Sequence, residues 1–200
     1  MPRIILVRHA PTPETGRKLT GRLPGVGLGD AGVTVAEAAR DALAGLRPAR
    51  LVSSPVQRCV ETATVIGVPH GLEPTIEPGL EEVDFGRWQG RTLASLAKLK
   101  AWRTVQVAPS RFTFPEGEAF IDVQHRAVAA VEALAADAGA RDTVIACSHA
   151  DVIKLVLSHY LGQPLDLFQR IGVAPASISV VDLVTGAPAH VVQINGSHAP

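Results

Sequence analysis

An α/β layered fold in a single domain spanning residues 1–200 is the class this sequence predicts. Three observations predict it. Short apolar runs, Ile4-Ile5-Leu6-Val7 and Val144-Ile145-Ala146-Cys147, have strand length and the continuity of strands buried on both faces. Between them lie stretches with apolar residues at helical spacing. A hydrophobic content of 46% against 19% charged residues suits a packed core rather than a disordered chain.

The elements follow in order. Residues 3–7 read as the first strand, and 10–29, rich in Gly, Pro and Thr, as a long loop. Val35, Ala38, Ala39, Ala42, Leu43 and Leu46 make one helical stripe, with Gly29 as N-cap, Asp30 favouring the helix dipole and Pro48 as the stop. Leu51-Val52 suggests a second strand. Ser54 is placed to cap the next helix with Pro55 at its first position, and Gly67 and Pro69 end it near Ile66. Residues 75–77 could be a short strand, 92–106 a mixed helix, and 109–117 a loop. An Ala-rich helix covers about 118–138, a buried strand 143–147, and a helix 150–161 ended by Gly162 and Pro164. Ser177–Leu183 and His190–Ile194 read as closing strands.

Composition narrows the function. Nineteen basic and nineteen acidic residues cancel, which gives no argument for nucleic acid or an anionic membrane as partner. No apolar run approaches the length of a membrane span, and the N-terminus lacks the apolar core of a secretory signal. Two cysteines, Cys59 and Cys147, are too few for a disulfide framework and read as reduced, buried thiols. A cytoplasmic monomer or homodimer is expected. Gly27-Leu28-Gly29-Asp30-Ala31-Gly32 fits G-x-G-x-x-G. The dinucleotide fingerprint must follow a strand at once, and here a long loop intervenes.

Four segments carry chemistry. Arg8-His9 closes the first strand, where ligands bind in open α/β sheets. Arg58 lies one turn into the helix after Ser54, and side chains lean toward a helix N-terminus. An exposed arginine paired with Glu61 or Glu14 is the bland alternative. Glu82 stands in the loop-like stretch Leu80–Gly86 beside a rival, Glu81. His149 follows the strand 143–147 and opens a helix. Two histidines, two arginines and a carboxylate suffice to move a phosphoryl group through a phosphohistidine without metal.

LVRHAPT, SSPVQRCVETA and SHADVIK, in that order, resemble the histidine phosphatase superfamily, the phosphoglycerate-mutase-like proteins, from about residue 3 to about residue 195. PEGEAF at 115–120, VIKLVL at 152–157 and LDLFQRI at 165–171 bring the chain nearest a branch labelled phosphomutase. The resemblance implies a three-layer α/β/α fold with a mostly parallel central sheet. It implies His9 as nucleophile, Arg8, Arg58 and His149 as a phosphate clamp, and Glu82 as general acid–base. The substrate-binding set is Arg8, Thr12, Thr15, Thr20, Gly21, Arg58, His149 and Ala150, with no metal and no cofactor. Ala10 departs from the family's glycine, Leu28-Gly29 from its helix entry, and Lys154 from its arginine.

A phosphomonoesterase acting on a small phosphorylated substrate is the expected activity. A phosphomutase, or a non-catalytic module that binds phosphate esters, is the alternative. The stretch between Glu82 and His149 is short. Its basic residues Arg91, Lys98, Lys100, Arg103 and Arg111 are few for retaining a second phosphate. Trp102, Phe112 and Phe114 suggest an apolar lid.

Overall fold

The computed structural model describes residues 1–183 and 186–198. The chain runs β1 (Arg3–Arg8), α1 (Asp30–Leu43), β2 (Arg50–Ser53), α2 (Gln57–Gly67), β3 (Thr75–Ile76), α3 (Leu93–Leu96), α4 (Lys100–Val107), α5 (Phe120–Ala136), β4 (Thr143–Ser148), α6 (Ala150–Tyr160), β5 (Ile178–Asp182) and β6 (His190–Gly196). The strands form one six-stranded sheet in the order β3-β2-β4-β1-β5-β6. β1, β2, β3 and β4 are mutually parallel, β5 runs antiparallel to β1, and β6 antiparallel to β5. Among the described residues no helix is long and apolar enough to cross a membrane.

Alternation along the strands separates two cores. Ile5 and Val7, with Ile145 and Cys147, pack on Ala39 and Leu43 of α1 and on Cys59, Ala63 and Ile66 of α2. Ile4 and Leu6, with Val144 and Ala146, face the opposite layer of α5 and α6, including Val123, Ala127, Val131, Val152 and Val156. Side chains of a strand alternate between faces, so a four-residue apolar run serves both helix layers at once. This is the three-layer α/β/α arrangement with a mostly parallel sheet.

The register sets the carboxyl ends of the central strands level. Arg8 pairs with Ser148, and Ser53 with Cys147. The ladder continues one residue further, with the His9 amide donating to Ser148 O at 2.9 Å and the Ser54 amide to Cys147 O at 2.9 Å. His9, Ser54 and His149 therefore leave the sheet side by side.

Three local expectations are corrected. α2 starts at Gln57 with Val56 as its N-cap, not at Pro55 with Ser54 capping. The Ser54 hydroxyl accepts from the Val56 amide at 3.3 Å and also bonds His149 Nε2 at 2.8 Å, so it serves the turn before α2 and a tertiary partner at once. The helix expected over 92–106 is two short helices, broken where Leu99 is extended (φ −79°, ψ 137°). That break lets Leu96 and Leu99 both reach the core that Val105 and Trp102 also join. α1 closes at Leu43, ahead of Pro48.

The glycine-rich stretch 27–32 has a packing purpose. Gly32, in the first turn of α1, lies against the loop that follows β1. A Cβ there would stand 2.2 Å from the Pro11 carbonyl oxygen. A helical Gly→Ala change ordinarily stabilises by up to about 1 kcal/mol. Here backbone must move, and overpacking costs about 1–3 kcal/mol. Gly32→Ala should thus lower the denaturation midpoint; an equal or higher midpoint would show that the loop yields freely.

Candidate active site

The site lies at the carboxyl ends of β1, β2 and β4. A pocket of about 150 Å³ is bounded by Arg8, His9, Thr12, Thr15, Thr20, Gly21, Arg58, Glu82 and Ala150, together with Lys18, Phe85, Leu93 and Asp151. Every position expected from the sequence lines it except His149, which stands behind Arg58 and is fully buried.

Arg58 ties the group together. Its guanidinium is 2% exposed, so it is not the surface arginine of the bland alternative. Its Nε donates to His9 Nε2 at 3.1 Å. Its Nη2 donates to the Gly21 carbonyl at 2.9 Å and to His149 Nδ1 at 3.0 Å, and lies 3.5 Å from Glu82 Oε2. Arg58 Nη1 and Arg8 Nε are buried without a partner among the described residues, while Arg8 Nη1 donates to Val173 O at 2.7 Å. Buried donors are normally satisfied, so two orphans on adjacent guanidinium groups suit a site for an anion.

The two imidazoles are neutral. Burial, then the Arg58 charge, pushes His9 down to about 3, against the opposing bond to the Ala10 carbonyl. His9 Nδ1 donates to that carbonyl at 2.7 Å, which leaves the lone pair on Nε2. His149 is pushed well below its ordinary value by burial and then by Arg58. Since Arg58 donates to His149 Nδ1, Nε2 carries the proton and donates to Ser54 Oγ.

Glu82 and Glu81 diverge. Glu82 is 9% exposed with Oε2 at 3.5 Å from His149 Nδ1. Burial pushes its carboxyl up to about 7, against Arg58; Asp151 adds to the rise, and the Val83 amide and Arg8 oppose it. Glu81 turns away to Arg22, 3.2 Å from Nη1.

Sequence reasoning missed the brace under Glu82. Arg22 Nε donates to Glu82 O at 2.8 Å, and Arg126 donates to the carbonyls of Gly79, Glu81 and Glu82 at 2.9, 2.8 and 3.1 Å. Glu118 joins both arginines, at 2.8 Å from Arg22 and 2.9 Å from Arg126. Burial raises the Glu118 carboxyl, yet Arg126, the Asp84 amide and Arg22 outweigh it and hold it below the ordinary value. Glu118 belongs to PEGEAF, the one signal that pointed here.

Loop expectations are refined as well. The Thr15 hydroxyl accepts from the Thr12 amide at 2.9 Å, and Gly21 offers Arg58 its carbonyl rather than an amide. Ala10 is fully buried without positive φ, so it takes the place of glycine without strain. Its amide donates to Thr62 Oγ1 at 3.0 Å. Trp102, Phe112 and Phe114 form no lid. They pack around Trp88, and Phe114 meets Phe85, which does line the pocket, edge-on with ring centres 4.9 Å apart. The Cys59 thiol lies 3.4 Å from His149 Nε2, fully buried, and burial raises it well above its ordinary value, which keeps it inert.

The sequence and fold have known counterparts. A model of the histidine phosphatase superfamily (branch 1) matches residues 4–195. A glucosyl-3-phosphoglycerate phosphatase of Mycolicibacterium vanbaalenii is 30% identical over 182 residues, 85% of this chain and 79% of that protein. A mycobacterial glucosyl-3-phosphoglycerate phosphatase solved in complex with VO3 superposes with a TM-score of 0.87 at 26% identity, over 97% of this chain and 98% of that one. Bacillus stearothermophilus YhfR superposes with a TM-score of 0.89 over 98% of this chain and 97% of its own; at 24% identity it speaks to the fold alone. With the family pattern running from the first strand to the last, this chain belongs to the histidine phosphatase superfamily, branch 1.

Proposed function

We propose that this protein is a metal-independent phosphomonoesterase that passes the phosphoryl group of a small ester through His9. The observation that carries the reading is the pair of orphaned guanidinium N–H groups, Arg8 Nε and Arg58 Nη1, beside a neutral imidazole lone pair. The relatives named glucosyl-3-phosphoglycerate phosphatase support a phosphatase rather than another activity.

In this mechanism the phosphoryl oxygens draw Arg58 off His9 Nε2, which frees the lone pair for in-line attack. The N–P bond forms as the ester P–O bond breaks. Arg8 and Arg58 hold the equatorial oxygens and stabilise their charge, the task a metal ion performs elsewhere, and His149 joins them once Arg58 Nη2 has left its Nδ1. To donate, His149 must present Nδ1–H, and the Ser54 hydroxyl accommodates either tautomer because it donates as well as accepts. The carboxyl of Glu82, protonated near neutrality by its burial, gives its proton to the leaving alkoxide. The resulting carboxylate then takes a proton from the water that attacks phosphorus and breaks the N–P bond. Thr12, Thr15, Thr20, Gly21 and Ala150 shape the wall.

A mutase must retain a second anionic group. Arg91, Lys98, Lys100, Arg103 and Arg111 are all absent from the pocket wall, which favours water as acceptor. We place the reaction in a reducing, cytoplasmic setting, in keeping with two fully buried free thiols.

His9→Ala should cut turnover by about 10³-fold or more while the fold persists. Acid-stable or base-stable labelling after rapid denaturation distinguishes the alternatives: base-stable label on His9 supports the intermediate, and near-normal activity of the variant refutes it. Glu82→Gln should slow alkyl phosphates by about 10²–10⁴-fold but p-nitrophenyl phosphate far less, because its phenolate needs little protonation. The same dependence in Glu81→Gln alone would exchange the two roles.

The pH profile carries a sign. Glu82 must be protonated to act as acid, and its carboxyl is raised to about 7 by burial, with Asp151 reinforcing and Arg58, Arg8 and the Val83 amide opposing. Measured as a ratio to p-nitrophenyl phosphate, kcat/KM for an alkyl ester should be level below that pH and fall above it. His9, pushed down to about 3, remains neutral throughout and adds no limb. EDTA should leave both rates unchanged; loss restored by a divalent ion would contradict a clamp made of side chains alone.

A further inference from the structure

We propose that Asp151 selects the leaving alcohol: it disfavours esters that carry a second anionic group and favours alcohols offering hydroxyl or ammonium donors. The proposal rests on the phosphatase reading of the same pocket and deepens it.

Besides the clamp, His9 and Glu82, two charged side chains line the pocket, Lys18 and Asp151. Lys18 is 43% exposed and paired with Glu14 at 3.1 Å, so water and its partner screen it. Asp151 is 22% exposed and therefore less screened. Its partner Lys154 stands 3.4 Å away, is shared with Gln169 Oε1 at 3.2 Å, and is not part of the wall. Asp151 thus belongs to the pocket wall while its compensating ammonium does not.

The bland account makes Asp151 a first-turn residue that complements the α6 dipole and balances Arg8. That explains an acid at the start of α6, but not one on the pocket wall. The transferred phosphoryl group tolerates Asp151 because Arg8 and Arg58 face it directly. A second anion on the alcohol finds no comparable cation there. Like charges across a partly buried site repel, and a carboxylate accepts bonds from O–H and N–H.

Glycerol 3-phosphate and 3-phosphoglycerate form a matched pair, differing in one hydroxymethyl against one carboxylate. At low ionic strength kcat/KM should favour glycerol 3-phosphate by about tenfold. Asp151→Asn keeps the shape and removes the charge, so the ratio should fall toward one; Asp151→Lys should invert it. Raising salt should shrink the wild-type ratio, as screening requires. A wild-type ratio at or below one, or a ratio unmoved by Asp151→Asn, would overturn the proposal. If wild type hydrolyses no ester, p-nitrophenyl phosphate included, the phosphatase reading fails. The binding ratio of the same two esters by calorimetry then still decides the role of Asp151.

Discussion

Arg58 is a charge held at 2% exposure, and the site is organised around keeping it there. A buried guanidinium is tolerable only where acceptors surround it. Gly21 O, His9 Nε2 and His149 Nδ1 supply them, with Glu82 as a longer-range counter-charge. Burial, and after it the same field, pushes both imidazoles toward the neutral form. It also opposes the burial that raises Glu82, so that carboxyl settles near neutrality instead of far above it. Burial first, and that charge second, therefore set the protonation of three neighbours.

That arrangement depends on the sheet. Three parallel strands end level, and each hands over a polar residue where its apolar run stops: His9 after Val7-Arg8, Ser54 after Ser53, His149 after Ser148. Shifting any strand by one residue would exchange its two faces and carry these side chains into a helix layer. The apolar alternation that builds the two cores is thus the same constraint that assembles the site.

Glu82 comes from a loop, and loops need bracing. Arg22 and Arg126 grip its carbonyls and those of its neighbours, and Glu118 joins the two arginines. None of the three brackets is on the strands that deliver the histidines. The proposed general acid is braced from the α5 layer and the post-β1 loop, and β4 joins the brace where Ser148 Oγ donates to Leu80 O at 2.7 Å.

The fold class, the strands and most helices were legible because each rests on a local period or a local stop signal: Ile4–Val7, the Ala-rich run of α5, Gly162 after α6. The candidate site was proposed from the sequence too, with Arg8, His9 and His149 marked by strand ends, and Arg58 and Glu82 by the family resemblance; the structure brings these five side chains together. Illegible were the features that depend on partners remote in the chain. Ser54 looked only like a cap because capping is local, and the second bond of its hydroxyl goes to His149, ninety-five residues away. Trp102, Phe112 and Phe114 looked like a lid because exposure cannot be read from aromatic character, and Trp88 drew them into the core. Arg22 and Arg126 carried no motif of their own, and the residues alone did not separate Glu81 from Glu82, which the resemblance chose and which Arg22 sets apart by pairing with Glu81. The sequence by itself determined which chemical groups exist and at which element ends they stand. Tertiary structure alone decided who faces whom and how deeply each is buried, because charge state, tautomer and specificity follow from distances across chain segments that no local pattern encodes.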